Sequence, residues 1–389
     1  MTAQLPFHAP EPLRTPPALR ELRDRGAVHK VRTRVGDDAW LVTGYEEVRA
    51  LLDDQRLGRS HPHPEQAART GESALLGSPV GNHETEHVDH ARMRRILQPL
   101  FSPRRMRALR PRIAQLTAEL LDDMEKSGSP ADLNASLALP LPILVICELL
   151  GVPYADRDRF RAWSVAAGDV VDAARSADGL GQLYVYGREL VDLKRRDPGD
   201  DIISDLCATE GLGDAEIASL SMLLLFAGHE TTVVQIGYGA LFMLTTPGEW
   251  QALVTDPARV GPVVEEIMRA PIVGTGGMPR WARTDLDIAG VTVRAGELVL
   301  LDTFTANHDP EVFADPERFD PDRTSTQHLG FGHGARYCVG APLARIELAE
   351  VFGQLTARFP DLRLAVPTVD IRFTQDQLTT AVVELPVSW

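Results

Sequence analysis

Phe331-Gly-His-Gly-Ala-Arg-Tyr-Cys-Val-Gly340 sets one cysteine, Cys338, among closely spaced glycines. Gly332, Gly334 and Gly340 let the backbone take positive φ and pass close to a flat partner. Amide N–H groups in such a turn can point at an anionic sulfur. A helix read just beyond, APLARIELAEVFGQL at 341–355, adds the positive end of its dipole. Both effects favour thiolate, the form that binds metal. The competing reading is a glycine-rich loop around an inert cysteine. Against it stands the spacing Phe-Gly-x-Gly-x-Arg-x-Cys-x-Gly, far rarer than GxGxxG-type glycine signals.

The other cysteines, Cys147 in ILVICELL and Cys207 in IISDLCATE, read as small core residues, and three scattered cysteines make no disulfide framework. A chain of 389 residues without linker, repeat or low-complexity block, 44% hydrophobic, reads as one unit able to bury a sizeable core. The N-terminal MTAQLPFHAPEPLRTPP lacks a signal-peptide pattern. The greasy stretches at 137–152 and 220–227 fall short of a bilayer span of about 18–20 residues, and Pro140 and Pro142 break the first. The expectation is a soluble, cytoplasmic protein. A net charge of −15 argues against bulk affinity for nucleic acid.

Residues 27–44 alternate as a hairpin turning at Gly36-Asp37-Asp38, helical periodicity prevails over 45–270, and 285–305 returns to strand character around Gly290 and Gly296. The polar stretch 59–82 reads as a long loop. Asp214 to about Thr246 reads as one helix, capped by Gly213 or Asp214 and stopped by Pro247, roughly 50 Å long. Its apolar run SLSMLLLFAG implies burial, yet Gly228, His229, Glu230, Thr231 and Thr232 follow in succession. Polar groups in a buried helix are costly without partners, so this break in local preference points to function. A helix kink with back-bonded threonines is the structural alternative.

The cysteine loop, with His328-Leu-Gly before it and Ala341-Pro-Leu-Ala-Arg345 after it, resembles the haem-binding loop of the cytochrome P450 monooxygenases. The resemblance implies a mainly α fold with a smaller β region, a single-domain helix-rich prism over residues 1–389 that encloses haem b. It makes Cys338 the axial thiolate, with Phe331, Gly332 and Gly340 shaping the loop. AGHETT at 227–232 is similar to the family's distal-helix motif. Glu230 and Thr231 then form the acid–alcohol pair that brings protons to the O2 co-substrate, and Gly228 leaves room for it. His90 and Arg94, one turn apart, together with Arg280 and Arg336, match the family's propionate donors. Glu266 and Arg269 match its structural Glu-x-x-Arg, with Arg318 or Arg323 as the third member. Arginine at 336, where many members have histidine, and histidine at 308, where arginine is usual, are departures.

The implied activity is hydroxylation or epoxidation of an apolar small molecule by a monomeric enzyme. Electrons come from NAD(P)H through a ferredoxin and its reductase. The chain looks like actinomycete enzymes that tailor secondary metabolites. Diversion of the same haem to desaturation, ring closure or coupling is the alternative, and a non-catalytic haem-thiolate sensor a remote one. Eight arginines and no acid between Arg92 and Arg112 form a candidate docking face, or a solvated helix face. The pocket walls implied by resemblance are 60–88, 165–190, 223–232, 271–278 and 376–380. One rival motif, His83-Glu-Thr-Glu-His87, matches the zinc-protease pattern, which needs both histidines on one face of a buried helix.

Overall fold

The computed structural model describes residues 2–7, 13–271, 276–324 and 327–389. By contacts the chain forms two compact units that alternate along the sequence. One comprises Met1–Glu72, Leu76–Ser102 and Thr245–Ala341; the other comprises Ser73–Leu75, Pro103–Leu244 and Pro342–Trp389.

In the first unit the hairpin forms as its alternation requires. Val28–Arg32 pairs antiparallel with Asp38–Val42, from Val28 opposite Val42 to Arg32 opposite Asp38, and Gly36 turns at φ 91°. A six-stranded sheet grows from it in the order Ala3–Gln4, Val28–Arg32, Asp38–Val42, Leu298–Leu301, Met278–Ala282, Leu57–Gly58. Leu298–Leu301 runs parallel to Asp38–Val42 and antiparallel to Met278–Ala282, with Val299 opposite both Trp40 and Arg280. Val299 and Leu301 enter one apolar cluster with Val42, Val48 and Phe313; Leu298 and Leu300 enter another with Val31, Leu41 and Trp281. Burial on both faces is why this strand reads as an unbroken apolar run. Leu286–Ile288 and Val291–Val293 form a separate hairpin at Gly290.

The Glu-x-x-Arg pair is buried here, and Arg323 completes it. Arg269 donates Nε to Glu266 Oε2 at 2.7 Å and Nη2 to Oε1 at 2.8 Å, and Arg323 Nε donates to Oε1 at 3.1 Å. Arg269 Nη1 also donates to the carbonyls of Asn307 and Pro316. His308 is buried and held neutral: burial first, then the Arg269 charge, push it down to about 4, and its Nδ1 meets the Phe304 carbonyl at 2.9 Å.

The second unit is built on helices Pro103–Ser127, Pro140–Leu150, Arg157–Ala167, Ala173–Arg196, Ile202–Ala208 and Asp214–Thr245, with most of Ala341–Arg358. Asp214–Thr245 matches the long helix expected, and its first turn hangs on the Gly213 carbonyl. It is long and apolar enough to cross a membrane by length and composition, and more than half of its apolar window is buried within the protein. Gly187 lets the Ala173–Arg196 helix cross close to it; a Cβ there would lie 2.6 Å from the Ala218 carbonyl oxygen. Pro140 and Pro142 do not break the 137–152 stretch. They stand in the first turn of Pro140–Leu150, where missing N–H groups cost nothing, after a π-turn at Asn134–Ala138. A three-stranded sheet of Ala131–Asp132, Pro386–Ser388 and Arg363–Leu364 also escaped the sequence, because strands of two or three residues carry no period.

Two outcomes are expected. Arg269→Ala leaves buried Glu266 with Arg323 as its remaining charged partner and frees the Asn307 and Pro316 carbonyls, and should cost about 3 kcal/mol in denaturant unfolding. Glu347, fully buried on Ala341–Arg358, is raised well above its ordinary 4.5 by burial. The native state therefore keeps a proton that the unfolded chain releases, so this group lowers stability as pH rises above about 4.5. Glu347→Gln should flatten the fall in melting temperature between about pH 5 and about pH 8 relative to wild type; parallel curves would count against it.

Candidate active site

Two glycines and an acid shape the cysteine loop. Gly332 and Gly334 take φ of 72° and 65°. Any Cβ on Gly334 would strike the Asp53 carboxylate, which accepts the Ala335 N–H at 2.9 Å. Cys338 N–H donates to the Phe331 carbonyl at 2.8 Å, closing the loop, and a Cβ at Gly340 would sit 3.9 Å from the sulfur. Cys338 is exposed at the loop tip, whereas Phe331 is 6% exposed. The other two cysteines are buried, and burial raises both thiols, Cys147 to about 12. Among the three, the donor accessible to a metal is Cys338.

Beside this loop in the same unit lies a crowd of cations. His90 and Arg94 come from the Glu86–Leu100 helix, Arg280 from the Met278–Ala282 strand and Arg336 from the loop itself. These are the four residues expected to meet propionates, and the structure brings them together: the charges of Arg336, Arg94 and Arg280 all bear on His90. Burial first, then Arg336 and Arg94, push His90 down to about 4, so it is neutral. Arg280 falls to about 9 through burial, then Arg336 and Arg59.

Two members were not foreseen. Arg59, brought down to about 10 by burial and then Arg336, follows the short Leu57–Gly58 strand. Glu86 is the acid of the group. Burial works to raise it, yet hydrogen bonds from Ser60 Oγ and the Arg59 and Ser60 N–H groups, with the Arg336 charge, outweigh that and hold it at about 2. Its place one turn before His90 was the available signal. Guanidinium groups that depress one another out of water favour further anionic oxygens. An exposed sulfur and a preformed cation site for two carboxylates are what a haem requires, and these residues fit it.

In the second unit the Asp214–Thr245 helix carries Leu223, Ala227 and Thr231 at i, i+4 and i+8 on one accessible face; Leu223 is 40% exposed. Gly228 is off this face. A Cβ there would lie 2.4 Å from Ile146 Cδ1, so its missing side chain lets the Pro140–Leu150 helix pack close. His229 is 1% exposed, edge-on to Phe160 with ring centroids 5.7 Å apart. Its Nδ1 lies 2.6 Å from the Leu225 carbonyl and its Nε2 lies 3.3 Å from Glu230 Oε1. A carbonyl only accepts, so Nδ1 is the protonated nitrogen. Thr231 Oγ1 donates to the Ala227 carbonyl at 2.9 Å, the back-bonded form a structural threonine also takes.

Other expected sites resolve differently. The Glu86–Leu100 helix starts after His83, whose Nδ1 meets Arg283 Nη1 at 3.2 Å, so His83 and His87 do not share a helix face as a zinc site requires. In the basic segment, Arg105, Arg110 and Arg112 pair with Asp205, Glu350 and Glu148. Of the proposed wall 271–278, residues 272–275 lie outside the described residues.

The comparisons agree with this geometry. A sequence model described as Cytochrome P450 matches residues 260–383. The chain is 42% identical to pentalenolactone synthase of Streptomyces exfoliatus over 99% of both chains. It is 41% identical to mycinamicin IV hydroxylase/epoxidase of Micromonospora griseorubida over 95% of this chain and 94% of that one. Among solved structures, SgvP, involved in the tailoring step of griseoviridin, superposes with a TM-score of 0.93 at 36% identity, covering both chains in full. A variant of the mixed-function P450 MycG in complex with mycinamicin V gives 0.88 at 38%, again covering both. Identity sustained along the whole chain, on so close a fold and around an accessible cysteine, places the protein in the cytochrome P450 family as a haem-thiolate monooxygenase acting with O2.

Proposed function

We propose that Cys338 is the thiolate of this enzyme and that it hydroxylates or epoxidises an apolar small molecule in secondary-metabolite biosynthesis. The exposed sulfur on its glycine-shaped loop carries the reading. The relatives named for pentalenolactone and mycinamicin chemistry supply the substrate class. His90, Arg94, Arg280 and Arg336 hold the two propionates, and Phe331, Gly332 and Gly340 form the loop. When bound, haem supplies oxygen activation: one atom of O2 enters the substrate and the other leaves as water, at the expense of two electrons and two protons.

The protein's own part is to hold protons and exclude water. His229 Nδ1 is fixed by the Leu225 carbonyl and its Nε2 lies 3.3 Å from Glu230 Oε1, so the buried ring holds the Glu230 carboxyl in place beside Thr231 for proton delivery. Thr231, on the accessible face, keeps its oxygen lone pairs for an incoming donor while its O–H goes to Ala227. Leu223 and Ala227 give that face an apolar character suited to the substrate. Electrons reach the enzyme from a ferredoxin and its reductase. With three arginines of the basic segment already paired, the exposed Arg104 and Arg107 are among the charges left to meet an acidic partner. The enzyme works as a cytoplasmic monomer, and the charge of −15 opposes bulk affinity for nucleic acid.

Cys338→Ser should abolish the carbon monoxide difference band that names the family while leaving the fold intact by circular dichroism. Thr231→Ala should keep that band and divert reduced oxygen to peroxide, raising peroxide per NAD(P)H several-fold; unchanged coupling removes Thr231 from proton delivery. Macrolide and terpene scaffolds should produce spectral shifts in the purified enzyme, and a panel that produces none would overturn the substrate class.

A further inference from the structure

Glu86 takes no part in the reading above, yet it is the most heavily bonded carboxylate near the cysteine loop. It is 8% exposed. Its Oε1 accepts the Arg59 N–H at 2.7 Å and Arg336 Nη2 at 2.5 Å. Its Oε2 accepts the Ser60 N–H at 3.0 Å and Ser60 Oγ at 2.5 Å, and Arg283 Nη1 lies 3.7 Å away. Gly58 makes space for it, since a Cβ there would lie 2.5 Å from Oε2. So crowded a set of donors around one buried acid exceeds what capping the Glu86–Leu100 helix would need.

We infer that Glu86 is a positioning residue that fixes Arg336 and the Arg59–Ser60 backbone at the propionate site and sets, by its own negative charge, the electrostatic potential felt by the haem. This rests on the haem-thiolate reading. Arg336, two residues before Cys338, cannot direct its whole fork at a propionate while one Nη is held by Glu86. The acid thus shares the guanidinium between protein and cofactor. Its charge also partly cancels the cations of Arg59, Arg280 and Arg336, so the oxidised, more positive haem is stabilised relative to the reduced form. Held at about 2, Glu86 stays ionised at any working pH.

The test is a redox titration of the holoenzyme. Glu86→Gln, which keeps the shape and removes the charge, should move the haem midpoint potential to a more positive value, and Glu86→Asp should restore it toward wild type. A merely structural role would lower the melting temperature in both variants without separating their potentials. Equal potentials in Gln, Asp and wild type overturn the inference. Should Glu86→Gln retain no haem, Arg336→Gln and the double variant Glu86→Gln/Arg336→Gln decide, because the double leaves neither partner buried alone. Arg336→Gln should be more negative than wild type and the double should return toward it; a double variant that stays with the single overturns the inference. A wild-type chain that takes up no haem overturns the reading beneath it instead.

Discussion

Positive charge withdrawn from water is expensive to keep, and the first unit keeps a great deal of it in one place. Arg59, Arg280 and Arg336 each weaken a neighbour's hold on its proton, and His90 yields its own altogether. Such a cluster persists only because a rigid frame holds it and because acids answer it. The frame is the six-stranded sheet: Arg280 lies opposite Val299 in its interior, and Arg59 follows its edge strand. The answering acid within the protein is Glu86, and under the proposed assignment the two propionates of haem would add theirs. Binding haem would then relieve a cost that folding creates and tie cofactor affinity to the stability of the sheet.

The second unit meets the opposite demand. Its long helix is apolar nearly all round, and what it offers to chemistry is one narrow face and one acid beside a histidine. Gly228 stands where the two demands meet: it lies in the distal-helix motif, and its bare backbone also admits Ile146 of the Pro140–Leu150 helix.

Much of this could be read before the fold was in hand, for physical reasons that differ residue by residue. The cysteine loop was legible because its information is contiguous: glycines, arginine and cysteine within ten residues. The Asp214–Thr245 helix was legible because capping glycine and stopping proline bracket a long apolar run. Arg318 and Arg323 could not be told apart, since both lie in one irregular segment and only the placement of that backbone against Glu266 selects Arg323. Glu86 could not be picked out, since it fills a free position of the His83–His87 motif and its partners, Ser60 and Arg336, are 26 and 250 residues away. Pro140 and Pro142 were read as breakers because sequence does not say where a helix begins. The basic segment looked free for a partner because the acids that engage Arg105, Arg110 and Arg112 are remote.

The order of strands in the sheet has a consequence for how the protein is made. Asp38–Val42 is laid down early, but its neighbour Leu298–Leu301 follows about 260 residues later, with Trp40 waiting for Val299. At a translation rate of roughly 5–20 residues per second, that strand waits on the order of tens of seconds with one edge open. The nascent hairpin must stay soluble through that interval, and its alternation of exposed Lys30 and Arg32 with buried Val31 keeps charge along the unpaired ribbon until the ribosome delivers its mate.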